Sequence, residues 1–94
     1  MISSLIDKRE EILRIAGSYG ANNILVFGSV ARGEENEDSD LDLLVEFEPG
    51  RSLLDHAGLV IALQDLVGRT VQVGTKKGLR PLYRDRILQE AVPL

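Results

Sequence analysis

Two small residues and two carboxylates lie close together in the sequence, each pair beside an apolar segment. Gly28 and Ser29 follow the apolar residues 24–27, and Asp40 and Asp42 open a second apolar segment ten residues later. Carboxylates bind Mg²⁺, and bound Mg²⁺ in turn holds the phosphates of a nucleotide. The combination predicts a site for nucleotidyl transfer between two strands.

The alternation of side chains along a strand predicts how the carboxylates are arranged. Asp40 and Asp42 point to the same face, about 7 Å apart along the strand. Leu41, Leu43 and Val45 then point to the opposite face, toward a core. Two carboxylates on one face are able to share one or two divalent ions.

The Gly-Ser pair has the properties of a turn that contacts phosphate. Gly28 lets an anion approach the backbone closely, because it has no side chain. Ser29 offers a hydroxyl and lies where a short helix would begin, and free N–H groups at a helix N-terminus favour anions. Arg32, one helical turn further on, is placed either to reach a phosphate or to brace an acid.

This pattern of Gly-Ser, ten residues and Asp-x-Asp resembles the signature of the DNA polymerase beta-type nucleotidyltransferase superfamily. The short chain and its segments GRTVQVGTKKGL and RILQEAVPL are similar to the minimal nucleotidyltransferase (MNT) group. The resemblance implies that Gly28 and Ser29 contact the phosphates of ATP. It also implies that Asp40 and Asp42 are the catalytic, Mg²⁺-binding residues.

The resemblance further implies a partner. Members of the MNT group act as antitoxins beside a HEPN-domain ribonuclease toxin, and some silence that toxin by transferring AMP from ATP to one of its tyrosines. The first hypothesis is therefore an enzyme that adenylylates a HEPN-domain toxin and forms a complex with it. Transfer to a small molecule is a weaker possibility, because a chain of 94 residues is too short to contain a second, acceptor-binding domain.

The third acidic residue that the family usually carries on the next strand is replaced here. In the segment 70–73, alternation puts Val71 and Val73 on the core face and Gln72 on the face of the metal site. An amide oxygen ligates a cation weakly and cannot accept the proton of an attacking hydroxyl. The alternative hypothesis is therefore a catalytically weak or inactive nucleotide-binding antitoxin that acts by contact. Asp38 shares the parity of Asp40, but the sequence does not place it.

Composition indicates a single cytoplasmic domain over residues 1–94. The chain has no cysteine, no apolar segment as long as a membrane span, and no basic-then-apolar leader pattern at its start. Its formal net charge of −4 argues against non-specific binding to nucleic acid.

Charge and hydrophobicity are unevenly distributed. Residues 34–48 are strongly acidic, whereas the segment Lys76–Arg86 is basic, and the chain ends in the apolar tail Val92–Leu94. We expect an acidic metal-binding pole and a basic segment that faces phosphates or an acidic partner. The tail either packs on the small core or docks into that partner.

Hydrophobic spacing predicts four helices and three strands, in the order α-β-α-β-α-β-α. Strands are expected near 23–27, 41–47 and 70–74. The first helix has a capping pair, Ser4 with Asp7, and ends at Gly17 or Gly20; the third is capped by Ser52 with Asp55 and followed by Gly68; Pro81 lies in the first turn of the last. The predicted class is α+β, a small mixed sheet backed by helices, as in the palm-like nucleotidyltransferase fold.

The remaining candidates are weaker. His56 is the only histidine and has no cysteine beside it, so a role as a metal ligand is not favoured. Tyr19 and Tyr83 are interpreted as packing residues rather than as acceptors of a modification.

Overall fold

The chain forms the mixed arrangement of helices and strands that its sequence predicts, with one strand added at the end. The computed structural model describes residue 5 and residues 7–34 and 39–94. The helices are α1 (Arg9–Ser18), α2 (Gly28–Arg32), α3 (Leu53–Val67) and α4 (Pro81–Glu90), and a 3-10 turn spans Lys76–Gly78. The strands are β1 (Ala21–Phe27), β2 (Leu41–Phe47), β3 (Val71–Gly74) and β4 (Val92–Pro93).

The four strands form one mixed sheet in the order β3-β2-β1-β4. β1 runs antiparallel to both of its neighbours, β2 and β4. β2 and β3 are parallel and are joined through α3, because parallel neighbours need a long crossover. The predicted α+β class is confirmed. β2 lies between β3 and β1, so both of these strands run beside the segment that carries the carboxylates.

Alternation along β2 separates a core face from a site face. Leu41, Leu43 and Val45 are all buried on the first face, under α1 and α3. The helices contribute buried apolar residues to the same cluster: Ile12, Ala16, Leu59 and Leu63. Leu44, on the opposite face with Asp42, is also buried, so the site face is partly covered rather than fully open.

The ends of the helices follow the chemistry of their terminal residues. The Ser52 hydroxyl accepts a hydrogen bond from the Leu54 amide at 3.2 Å, and Asp55 accepts one from the Ser52 amide at 2.9 Å. This capping box confirms the predicted start of α3, and Gly68, in the left-handed conformation, follows its end. Pro81 is in the first turn of α4, as expected. The predicted capping residue Ser4 lies outside the described residues.

The apolar tail is part of the sheet. β4 pairs with Leu25 and Val26 of β1, and the Leu94 amide donates to the Ile24 carbonyl at 3.1 Å. The Arg9 guanidinium donates to the Leu94 carbonyl at 2.7 Å. Of the two uses that the sequence leaves open for the tail, the structure has the packed one. Within the described part of the chain, no helix has the length and apolar character needed to cross a membrane.

Candidate active site

The turn between β1 and α2 lies directly against a carboxylate. Gly28 has φ of 74°, a conformation that side-chain-bearing residues rarely adopt, and it begins the five-residue helix α2. A Cβ atom added at Gly28 would collide with the Asp42 carboxylate. Both the backbone conformation and the closeness of the carboxylate therefore favour glycine at this position. The next residue, the half-buried Ser29, lies at the same end of the sheet.

The two predicted carboxylates and Gln72 come together across β2 and β3. Gln72 is the register partner of Asp42 in the parallel ladder. Its side-chain amide donates a hydrogen bond to a carboxylate oxygen of Asp40 at 2.9 Å. The amide thus lies beside the carboxylate pair, on the face where alternation predicts it.

The backbone of Asp40 is held from outside its own strand. Asp40 precedes Leu41, the first residue of β2. The Leu41 amide donates a hydrogen bond to the Thr70 carbonyl at 2.9 Å. The Arg69 guanidinium donates to the carbonyl of Ser39 at 3.3 Å. Arg69 is a positioning residue that sequence reasoning missed, because nothing in its spacing connects it with a residue 30 positions earlier. Asp38 lies outside the described residues.

The electrostatics of the site disfavour two negative charges side by side. Burial raises the pKa of the Asp42 carboxyl above its usual value, and the charge of Asp40 raises it further. The guanidinium of Arg32 acts on the pKa in the opposite direction, as the smallest of the three influences. A cation bound between the carboxylates would relieve the repulsion that raises this pKa.

Arg32 is occupied by acidic partners. Its Nε lies 3.0 Å from a carboxylate oxygen of Glu34, and its Nη1 lies 3.1 Å from one of Glu90. The second contact ties α2 to α4 across 58 residues. Of its two predicted uses, the structure has Arg32 bracing acids, and contact with a phosphate stays a prediction that needs one of these ion pairs to open.

Two other polar residues near the sheet have structural partners instead. Glu46, further along the site face, accepts a hydrogen bond from Asn23 at 2.7 Å and lies 4.0 Å from the Lys76 ammonium. His56 hydrogen-bonds the Val73 carbonyl through Nε2 at 2.8 Å, and its ring packs beside Phe47. Neither residue extends the carboxylate pair.

The donor set fits a divalent cation, with one charge fewer than three carboxylates would provide. Among the described residues, no group of three or more His, Cys, Asp or Glu side chains is placed to hold a metal. The oxygens of Asp40 and Asp42 are the hard ligands that Mg²⁺ prefers, and Gln72 could add an amide oxygen if its side chain turned. Asp40 and Asp42 would hold the ion.

The site thus combines a Gly-Ser turn and short helix after β1 with two carboxylates at the start of the neighbouring strand, Asp40 just before β2 and Asp42 within it. The family model described as "Nucleotidyltransferase domain" matches residues 7–94, and the chain belongs to this family. The predicted resemblance is confirmed, and the chain is of the minimal nucleotidyltransferase type.

Two relatives of this chain are named as protein adenylyltransferases. A candidate protein adenylyltransferase of Methanocaldococcus jannaschii, MJ0435, is 44% identical over 84 residues, which are 89% of this chain and 90% of the relative. The protein adenylyltransferase MntA of Thermococcus cleftensis is 38% identical over 91 residues, 97% and 90% of the two chains.

Solved structures agree on the fold. A candidate minimal nucleotidyltransferase superimposes with a TM-score of 0.86 at 53% identity, covering 97% of this chain and 93% of the other. A toxin-antitoxin crystal structure with AMP-PNP superimposes with a TM-score of 0.75 at 15% identity, covering 89% and 69%. At that identity the second likeness concerns the fold alone.

Proposed function

We propose that this protein transfers AMP from ATP to a hydroxyl group of a partner protein, with Mg²⁺ bound by Asp40 and Asp42. The observation that carries the proposal is the meeting of the Gly28 turn with the Asp42 carboxylate. Phosphates that lie along the backbone at Gly28 and Ser29 would end at the carboxylate pair. The names of the relatives, protein adenylyltransferases, support the same reaction.

The reaction is an in-line displacement at the α-phosphorus of ATP. The acceptor oxygen forms a bond to this phosphorus, the bond to the β-phosphate oxygen breaks, and pyrophosphate leaves. Mg²⁺ bound at the site would neutralise charge on the attacking and leaving oxygens. The acceptor proton passes to water, because Gln72, on the β3 side of the site, has no carboxylate to receive it.

The acceptor in this proposal is a HEPN-domain toxin, and the protein is its antitoxin in the cytoplasm, where ATP is available. The support is the family resemblance and the fold shared with a chain of a toxin-antitoxin crystal structure with AMP-PNP.

A second candidate function is a nucleotide-binding antitoxin that blocks its toxin by contact, with little or no transfer. The hydrogen bond from Gln72 to Asp40 favours it. General bases contribute about 10²–10⁴-fold to rate, so the lack of a carboxylate here would leave binding intact and chemistry slow.

The two functions separate in a label-transfer assay. The protein is co-expressed with the product of the neighbouring gene, which the proposal expects to be the HEPN-domain toxin, and the complex is incubated with Mg²⁺ and ATP labelled at the α-phosphate. We expect label on the toxin with the natural chain and none with Asp42→Asn. ATP labelled at the γ-phosphate is the matched control, since AMP transfer leaves that label in pyrophosphate. A complex that holds ATP yet leaves the toxin unlabelled would establish the second function.

A further inference from the structure

The first half of α4 is exposed to solvent. Every residue from Arg80 to Arg86 is exposed, whereas the half-buried contacts of the helix lie in its second half, from Ile87 onward. Leu82 is 82% exposed and Tyr83 is 49% exposed. The α3 helix also exposes large apolar side chains, Leu53, Leu54 and Ile61, so exposure alone does not mark a docking surface. What sets Leu82 and Tyr83 apart is the charge around them.

Three basic side chains near Leu82 and Tyr83 have no acidic partner among the described residues. Lys77, Arg80 and Arg84 make no ion pair or side-chain hydrogen bond with any residue that the structure describes. Lys77 and Arg84 line a common cleft of about 540 Å³ whose apolar wall includes Phe47. Lys76 and Glu46 also line the cleft and lie 4.0 Å apart, so their charges offset each other and Lys77 and Arg84 leave it positive. The cleft therefore presents net positive charge beside an apolar surface, on a protein whose net charge is −4.

This surface reaches the candidate active site. Tyr83 and Gly28 line one shallow groove of about 210 Å³, together with Arg32 and Arg86. A molecule that covers the exposed half of α4 would thus extend to the turn at which ATP phosphates are proposed to bind. We call the residues Lys77, Arg80, Leu82, Tyr83 and Arg84 the α4 patch.

We propose that the α4 patch docks an acidic segment of the acceptor protein and so brings the acceptor hydroxyl to the Gly28 turn. Charge complementarity selects an acidic partner, and the exposed Leu82 provides an apolar anchor for it. The exposed Leu82 and Tyr83 favour a protein segment over a nucleic acid, because a protein offers apolar side chains to contact them and a phosphate backbone does not. The transfer step rests on the proposed function, whereas docking does not and is measured by itself.

The probe is a fluorescein-labelled random copolymer of glutamate and tyrosine, titrated by anisotropy at low salt. We expect saturable binding that weakens as salt is raised. Arg84→Glu should weaken it about fivefold, as loss of a good exposed ion pair does. Leu82→Ser should weaken it about tenfold, as loss of a buried leucine contact does.

Matched control variants separate the patch from general effects of charge and hydrophobicity. Arg14→Glu makes the same charge change on an exposed residue of α1, and Leu54→Ser removes a leucine that is 84% exposed on α3. Both should bind the copolymer as the natural chain does. The proposal is overturned if the natural chain does not bind, if either control weakens binding as much as its counterpart, or if a uridine polymer of equal length binds more tightly.

Asp42→Asn distinguishes docking from transfer. We expect this variant to bind the copolymer with unchanged affinity, because Asp42 is outside the α4 patch. If the natural chain binds the copolymer but adds no AMP to its tyrosines, the docking surface is supported and the proposed function is not. If Asp42→Asn loses the copolymer as well, the copolymer binds elsewhere and the docking surface is wrong.

Discussion

The two sides of the candidate site differ in what they retain. On the β1–β2 side, the Gly28 turn touches Asp42, and Asp40 completes a carboxylate pair. On the β3 side, the register partner of Asp42 is Gln72, an amide that donates its hydrogen bond to Asp40. The first side has the groups that we propose to bind a metal-bound triphosphate, and the second has no carboxylate that could take a proton.

In the proposed function, nucleotide binding and chemistry therefore depend on separate strands. The approach of Gly28 to Asp42 lies on the first side, whereas the hydrogen bond from Gln72 to Asp40 joins the two sides. The amide at Gln72 also leaves a crowded site, where the pKa of Asp42 is already raised, with one negative charge fewer than a carboxylate there would give it. The following variants test how far the two sides act independently.

The largest effect is expected from restoring the missing carboxylate. Gln72→Asp should raise the rate of AMP transfer at saturating Mg·ATP by about 10²–10⁴-fold, the usual contribution of a general base. Gln72→Asn is the matched control, since it shortens the side chain equally without adding charge. The readout is single-turnover transfer of α-phosphate label to the toxin. A natural chain already as fast as the Asp variant would mean that another group takes the proton.

Removing a carboxylate from the intact side should act on binding. Asp42→Asn should weaken Mg·ATP affinity by about 10–100-fold, the range seen when groups that support a metal site are lost. Glu46→Gln, on the same strand and face, should leave the affinity unchanged, because Glu46 pairs with Asn23 and Lys76 instead. Calorimetry of the two variants measures both, and equal losses would move the site along β2.

The same Asp42→Asn change should stabilise the protein when neither metal nor ATP is present. A raised pKa for an acid means that its charged form is disfavoured in the folded state, so at neutral pH the Asp42 charge lowers stability. The neutral amide removes that penalty. The melting temperature of the variant should exceed that of the natural chain in chelator and fall below it with saturating Mg·ATP. Equal melting temperatures in chelator would show that the site stores no such repulsion.

A pair of glycines separates backbone strain from contact with the carboxylate. Gly28 and Gly33 have φ of 74° and 73°, so alanine at either position should cost about 1–2 kcal/mol of unfolding free energy. Only the Cβ at Gly28 meets Asp42, whereas Gly33 faces open space. Gly28→Ala should therefore lose about tenfold or more in Mg·ATP affinity, and Gly33→Ala should keep it. Equal affinities would mean that the turn does not approach the phosphates.

The smallest effect is expected away from the site. Ser52→Ala removes the side-chain cap of α3 and should cost about 1 kcal/mol of stability with no change in Mg·ATP affinity.

The hydrogen bond from the Ser52 amide lowers the pKa of Asp55. The contribution of Asp55 to the stability of the fold is therefore present above the ordinary pKa of the carboxyl and is lost as the pH falls below it. Urea melts of Asp55→Asn should therefore converge with those of the natural chain at low pH. A constant difference across pH would contradict this assignment.

Much of this structure could be predicted from local periodicity, because the pattern of these side chains depends only on the helix or strand that contains them. The two-residue repeat of β2 assigned Asp40 and Asp42 to one face, and the same repeat assigned Gln72 to it from β3. The predicted capping residues Ser52 and Asp55 begin α3 for a similar reason, since capping acts within one turn.

What the sequence did not predict depends on residues that are far apart in the chain. The Arg32–Glu90 ion pair and the hydrogen bond from Arg69 to Ser39 join segments 58 and 30 residues apart. The order of the strands and the pairing of the tail as β4 are likewise decided by tertiary packing. Two residues of strand, containing a proline, have too short a pattern to be recognised in advance.

The most direct test of the account is a calorimetric titration of the natural chain with ATP, first with Mg²⁺ and then with excess chelator. In the proposed site, the side with Gly28, Asp40 and Asp42 binds the nucleotide through the metal, although Gln72 replaces a carboxylate. Binding should therefore be saturable with Mg²⁺ and lost in chelator. Equal affinity in chelator, or no binding by the folded protein with Mg²⁺, would contradict the proposed site.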